Sequence, residues 1–131
     1  MYQIFDLYLS NTSKQNREHF KNYAKIISKK FYRKKKLKIL DIASNDGTFL
    51  SYFNKKQFER IGIDPARNLI KFAKKNKVKQ LPIFFTKKNS LKLLKNFGKF
   101  QIITANNVCA HVENLNDFFE GVANLLDKNG I

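Results

Sequence analysis

The sequence predicts an α/β protein: an open, parallel, doubly wound sheet flanked by helices. Three observations lead to it. Short apolar segments alternate with stretches whose apolar residues recur at helical spacing. Each of the main apolar segments ends in a polar, turn-forming cluster, at residues 43–47, 64–65 and 106–107. The 131 residues are 43% hydrophobic and 14% aromatic, enough for one packed domain and too apolar for wholesale disorder.

The elements follow in order. Thr12 or Ser13 can cap a helix, with Gln15 three residues after Thr12 as in a capping box. Phe20, Tyr23, Ala24, Ile27 and Phe31 then mark one face of an amphipathic helix over about 13–33, with lysines on the other face. The apolar run 37–42 reads as a central strand, and 47–53 as a short helix directly behind a polar turn. Residues 58–63 form a second strand ended by Asp64-Pro65, and proline suits the first turn of the helix that Leu69, Ile70 and Ala73 carry to about Lys75. A third strand is expected at Pro82-Ile83-Phe84-Phe85, then a brief helix at Leu91, Leu93 and Leu94 closed by Gly98. A fourth strand runs from Phe100 to Thr104. The last helix carries Leu115, Phe118, Phe119, Val122, Leu125 and Leu126, with Asn129-Gly130 as the stop. The expected organisation is a lead-in and helix over 1–35 and a core over 36–131.

Composition excludes several classes. One cysteine, Cys109, allows no intramolecular disulfide and no multi-cysteine zinc site, so no metal is expected. As a lone thiol it is expected to be a small buried residue rather than a nucleophile. No apolar run approaches the ~18 residues of a membrane span, and the first ten residues lack the basic-then-apolar order of a secretory signal; a cytoplasmic protein with no membrane partner is expected.

The formal net charge is +16, from 26 Lys+Arg against 10 Asp+Glu. Residues 14–38 and 71–99 hold most of the excess, and only Arg17, Arg33, Arg60 and Arg67 are arginine. Such charge suits a nucleic-acid-binding protein, which gains affinity by releasing phosphate counterions. It also suits a plain solvated lysine surface, and the shortage of arginine, the residue of bidentate phosphate and guanine contacts, favours that second reading.

Open α/β sheets bind ligands outside the carboxyl ends of their strands. The turn after the first strand is Asp41-Ile42-Ala43-Ser44-Asn45-Asp46-Gly47: small residues let a ligand approach, Asn45 tolerates positive φ, and Gly47 starts a helix close by. The second strand ends at Asp64, whose two acceptor oxygens suit the vicinal hydroxyls of a ribose. Plain turns and a helix-capping acid are the ordinary alternatives; order and spacing favour an adenosine-containing cofactor. A dinucleotide turn would carry three glycines for a pyrophosphate, and this one has a single glycine. Asp41 and Asp46 would repel a pyrophosphate but suit the sulfonium and amino group of S-adenosyl-L-methionine.

Asp41-x-Ala43-x-Asn45-x-Gly47 resembles the first motif of class I S-adenosylmethionine-dependent methyltransferases, with Ala43 and Asn45 in place of two glycines. Residues 42–47, 62–66, 84–85 and 105–112, with the lead-in Tyr8-Leu9-Ser10, Glu18-His19 and Tyr23-Ala24, are similar to successive blocks of the sugar C-methyltransferases, which methylate a ring carbon of nucleotide-linked keto-deoxysugars. The resemblance implies a Rossmann-like sheet, here reduced to about four strands in the order 3-2-1-4. It implies a cofactor site of Asp41, Ala43, Ser44, Asn45, Gly47, Asp64, Pro65, Asn106 and Asn107. It implies substrate contacts at Tyr8 and Ser10, and His111 beside the acceptor as the catalytic candidate. Gln101 stands where relatives often carry Asp.

Members of that family also have an amino-terminal zinc module, a fifth and later strands, and a Tyr-His-Glu-His motif supplying acid/base groups, none of which is found in the 131 residues. The sequence is therefore expected to be a truncated or split methyltransferase that keeps the cofactor half. Its fourth strand is expected to offer an apolar edge for a complementing chain or a second copy. The expected partner is a nucleotide-linked sugar.

Overall fold

The computed structural model describes residues 13–31, 34–106 and 108–131. Four parallel strands, β1 (Leu37–Ile42), β2 (Phe58–Ile63), β3 (Lys79–Leu81) and β4 (Ile102–Thr104), lie in the order β3-β2-β1-β4. Helices α1 (Lys14–Lys30), α2 (Thr48–Ser51), α3 (Ile70–Lys75), α4 (Lys87–Phe97) and α5 (Leu115–Leu125) surround them. Short 3-10 turns occupy Arg67–Leu69 and Cys109–His111.

Alternation along the central strand divides the core in two. Ile39 and its β4 partner Ile102 point to one face, where Ala24 and Ile27 of α1, Phe49, Leu50, Phe53 and Ala73 pack on them. Leu40, Ile42, Ile61 and Ile63 point to the other, against Leu93, Phe118 and Leu125 from α4 and α5. α1 is thus a layer of the same packed body as the sheet. Ser13 caps it, its hydroxyl accepting the Asn16 N–H at 3.0 Å; Thr12 lies outside the described residues. Lys29 and Lys30 complement the negative carboxyl end of the helix.

The first two strands fall where the apolar runs place them; the third does not. β3 ends at Leu81, because Pro82 has no N–H to continue the ladder. The Leu81 carbonyl instead accepts the N–H groups of Asp64 and Ile83, and residues 82–86 cross without regular structure to α4. Pro65 likewise stands one residue ahead of Ala66, which caps the 3-10 turn, rather than inside a helix. α4 is longer than its leucines suggest, because Thr86 caps it through the Asn89 N–H and Asp117 of α5 accepts the Lys87 N–H. Gly98 ends it at φ 72.

The regular part of β4 begins at Ile102, while Phe100 bridges Leu126 in parallel. The outer edge of β4 is not left open as expected. The Ile103 N–H donates to the Ile131 carbonyl at 2.8 Å, and the Ile131 N–H donates to the Gln101 carbonyl at 3.0 Å, so the end of the chain lies on that edge as a parallel strand would. Gln101 itself is spent on β1, its Oε1 accepting the Lys38 N–H at 2.8 Å. No helix among the described residues is long and apolar enough to cross a membrane.

Arg60 of β2 holds the base of one face together. Its guanidinium donates to the carbonyls of Leu50, Ser51 and Phe53 at the end of the short α2, and to that of Lys77, where φ is 56°. Arg60→Met is expected to leave these carbonyls short of donors and to lower stability by about 1–3 kcal/mol in urea unfolding. Because the acceptors are carbonyls and not carboxylates, the loss is expected to be the same at low and high salt.

Candidate functional site

The carboxyl ends of β1, β2 and β4 meet at the residues that the sequence marks. Asp41 pairs across the sheet with Gly62 of β2 and Thr104 of β4, so its side chain is enclosed by both neighbours and is only 4% exposed. The Thr104 hydroxyl donates to Asp41 Oδ1 at 2.6 Å. Burial pushes the Asp41 carboxyl up from 3.8 to about 7; the Thr104 hydrogen bond opposes this, and the charge of Asp64 adds to it.

The turn that follows is built from left-handed backbone. Ala43, Asn45 and Gly47 have φ of 56°, 53° and 76°. Ala43 is exposed, so its methyl is not packed into the fold. A glycine is required at 47 on two counts: its φ is positive, and a Cβ there would press on Val78 and Ala73 at 3.3–3.4 Å. The Asn45 N–H donates to Asp64 Oδ2 at 3.1 Å, and the Ala66 N–H donates to Oδ1 at 2.9 Å. Asp64 is therefore fixed at the end of β2 with an unused lone pair on each oxygen. Burial raises its pKa as well, against the two N–H bonds.

Asp46 and Ser44 turn their side chains into the fold. Asp46 is buried, its Oδ1 accepting the Thr48 N–H at 3.0 Å in the first turn of α2, so its carboxylate is turned into the fold. Ser44 is also buried, and its hydroxyl donates to Gln80 Oε1 at 2.8 Å. Pro65 is half-buried beside Asp64. Asn106 follows β4 by two residues, and its Nδ2 is buried with no hydrogen-bond partner, as is the Thr48 hydroxyl. His111 is exposed in the turn Cys109–His111. Cys109, expected to be buried, is exposed there too, since this segment makes a surface turn instead of continuing β4. Asn107, Tyr8 and Ser10 lie outside the described residues.

Sequence reading missed Thr104 and Gln80. Thr104 is a polar residue at the inward end of the apolar Ile-Ile-Thr, its one local signal, whereas Gln80 in Lys-Gln-Leu has none. Among the described residues no group of three or more His, Cys, Asp or Glu could hold a metal ion.

The chemistry of this donor set fits S-adenosyl-L-methionine. Asp64 can accept the ribose hydroxyls, a sulfonium would favour ionisation of the buried Asp41 carboxyl, and Asn106 Nδ2, two residues past β4, is a buried donor with no partner.

Comparison with known proteins agrees with the geometry. A family model described as a methyltransferase domain matches residues 13–131. C-methyltransferase NovU of Streptomyces niveus is 27% identical over 93 residues, which make up 71% of this chain and 22% of NovU. The PH0226 protein of Pyrococcus horikoshii OT3 superposes with a TM-score of 0.67 at 23% identity, covering 98% of this chain and 61% of that one. The CurJ carbon methyltransferase superposes with a TM-score of 0.64 at 20% identity, over 82% of this chain and 31% of CurJ. The plantazolicin methyltransferase BpumL, crystallised with SAH and a pentazolic desmethylPZN analog, gives a TM-score of 0.62 at 21% identity, over 88% and 45% of the two chains. This chain spans less than two thirds of each of these proteins. The likeness to the solved structures establishes the Rossmann-like fold.

The buried carboxyl sets a pH dependence. The folded protein holds the Asp41 proton up to about pH 7, whereas an unfolded aspartate releases it near 3.8, so between these values the native state binds more protons. Stability is therefore expected to fall as pH rises through that window, by an amount of the order of 4 kcal/mol from this group. Asp41→Asn keeps an acceptor for Thr104; in urea titrations it is expected to flatten the dependence and to stabilise the protein above pH 7.

Proposed function

The chain belongs to the methyltransferase-domain family, and from that premise we propose that it binds S-adenosyl-L-methionine at the turn after β1 and serves in methylating a carbon of a nucleotide-linked keto-deoxysugar. The observation that carries the cofactor reading is the left-handed turn 43–47, whose Asn45 N–H orients the Asp64 carboxylate at the neighbouring strand end. When bound, the cofactor supplies an electrophilic methyl group on sulfur. Asp64 takes the two ribose hydroxyls on its free lone pairs, while the N–H groups of Asn45 and Ala66 keep it from rotating. Asp41, whose charge burial disfavours in the free protein, is favoured to ionise by a bound sulfonium. Asn106 donates through Nδ2, and His111, in the segment after β4, serves the acceptor. The resemblance adds Asn107 to the cofactor site and Tyr8 and Ser10 to the substrate site. SAH in the BpumL crystal structure supports the choice of cofactor.

Carbon as the methyl acceptor is supported by the names of two relatives, a C-methyltransferase and a carbon methyltransferase. The sugar rests on the sequence blocks at 42–47, 62–66 and 105–112. A carbon beside a ketone becomes nucleophilic once its proton is removed, and the enolate then attacks the methyl group in line. The alternative from composition, a basic nucleic-acid-binding protein, is not favoured. Many of its lysines sit on helix exteriors and at the amino ends of strands, as at Lys34–Lys36, Lys55, Lys56 and Lys99.

Titration calorimetry with S-adenosylhomocysteine tests the cofactor. Binding by the wild type is expected, with at least a roughly tenfold loss in Asp64→Ala, since a charge-assisted hydrogen bond contributes about 1.5–3 kcal/mol. A folded protein that takes up no ligand would overturn the reading. Methyl transfer to a nucleotide-linked keto-deoxysugar, compared with RNA affinity as a function of salt, separates the sugar substrate from the nucleic-acid alternative.

A further inference from the structure

We propose that Gln80 is a positioning residue for the turn after β1: its carboxamide reaches across Gly62 and sets the backbone on which the Asn45–Asp64 hydrogen bond, and therefore ribose binding, depends. The ribose part of this inference rests on the cofactor reading above.

Gln80 is on β3, one strand beyond β2 and two from the turn, and it is only 9% exposed. Both ends of its amide are used. The Asn45 carbonyl can only accept, so Nε2 donates to it at 2.8 Å; Oε1 then accepts the Ser44 hydroxyl at 2.8 Å. One side chain thus grips two consecutive residues of the turn. The Ser44 N–H is tied to the Ile63 carbonyl at 3.0 Å, and the Asn45 N–H to Asp64. All four bonds close on the strand end that carries the ribose-binding carboxylate.

The reach is possible because position 62 has no side chain. A Cβ there would stand 2.4 Å from Ser44 Oγ, 2.8 Å from Ser44 Cβ and 3.1 Å from Gln80 Oε1. Gly62 pairs directly with Gln80 in the sheet, so the gap lies on the path between the carboxamide and the turn. The grip is also needed. Ala43 and Asn45 are L residues at φ 56° and 53°, a conformation that persists only when its surroundings hold it. Neither the Asp41 nor the Asp64 contacts restrain the Asn45 carbonyl; Gln80 does.

Gln80→Leu keeps the volume and removes both hydrogen bonds. In hydrogen exchange followed by NMR, the amides of Ser44 and Asn45 are expected to exchange about tenfold faster, while those of Leu40 and Ile61 within the strands keep their wild-type rates. The affinity for S-adenosylhomocysteine is expected to fall about tenfold in parallel. Ser44→Ala, a smaller change, serves if Gln80→Leu does not fold: it is expected to speed Asn45 exchange in the same local manner. Where both fold, the double variant is expected to be no worse than Gln80→Leu alone. Wild-type exchange at Asn45 in a folded variant overturns the proposal. So does faster exchange with unchanged affinity, or a loss of protection spread evenly over the strands. Failure of the wild type to bind S-adenosylhomocysteine overturns the cofactor reading instead, and the exchange data still decide whether Gln80 holds the turn.

Discussion

At the end of β2 the backbone of Gly62 leaves room for the Ser44 hydroxyl and no more, and the functional end of the sheet is arranged around that gap. Because Ser44 can sink toward β2, the chain leaving β1 bends immediately and need not run on as strand. The bend places Asn45 over the end of β2, where its N–H finds Asp64, and delivers Gly47 against Ala73 and Val78 for the start of α2. A missing methyl group on one strand therefore determines where the backbone of another can turn. The Ser44 hydroxyl, the Asn45 N–H and carbonyl and both ends of the Gln80 carboxamide are paired with one another or with Asp64 there.

Asp41 shows the energetic counterpart. It is enclosed by two strands and accepts the Thr104 hydroxyl, and burial disfavours its charge in the free protein. A hydrophobic residue would be more stable at that position. A carboxyl retained there, with Asp64 close enough to add to its discomfort, makes the end of the sheet more welcoming to a cation than to an anion. Many of the lysines that dominate the composition lie elsewhere, on helix exteriors and at the amino ends of the strands. The strand ends that hold the candidate site are where the acids collect.

Much of this was legible in the sequence, for reasons that can be named. β1 and β2 appear at the residues expected, because short segments with apolar ends bounded by turn formers admit few other readings. Asp41, Asn45, Gly47 and Asp64 come together because a parallel sheet brings consecutive strand ends to one edge. β3 was misplaced: 82–85 is the more apolar segment, and the pairing partner of Gly62 had to be known before Lys79–Leu81 could be preferred. The roles of Gln80 and Thr104 were invisible for the same reason, since register across strands is set by tertiary pairing and not by local pattern. Composition names a turn's residues without saying which side each one takes, so the inward placing of the Asp46 and Ser44 side chains is not legible from it.

The order β3-β2-β1-β4 has a consequence for how the chain acquires its buried charge. Pairing β1 with β2, and β2 with β3, closes loops of only about 20 residues, whereas joining β4 to β1 brings together residues 63 apart. Loop entropy penalises that last closure by a further ~1 kcal/mol, and it completes the enclosure of Asp41. Until β4 docks, one flank of the carboxylate remains in water and no hydroxyl reaches it. Assembly of the first three strands is then expected to proceed with Asp41 still charged and hydrated. Its dehydration is expected to coincide with the arrival of Thr104, making proton uptake a kinetic marker of the final step of folding.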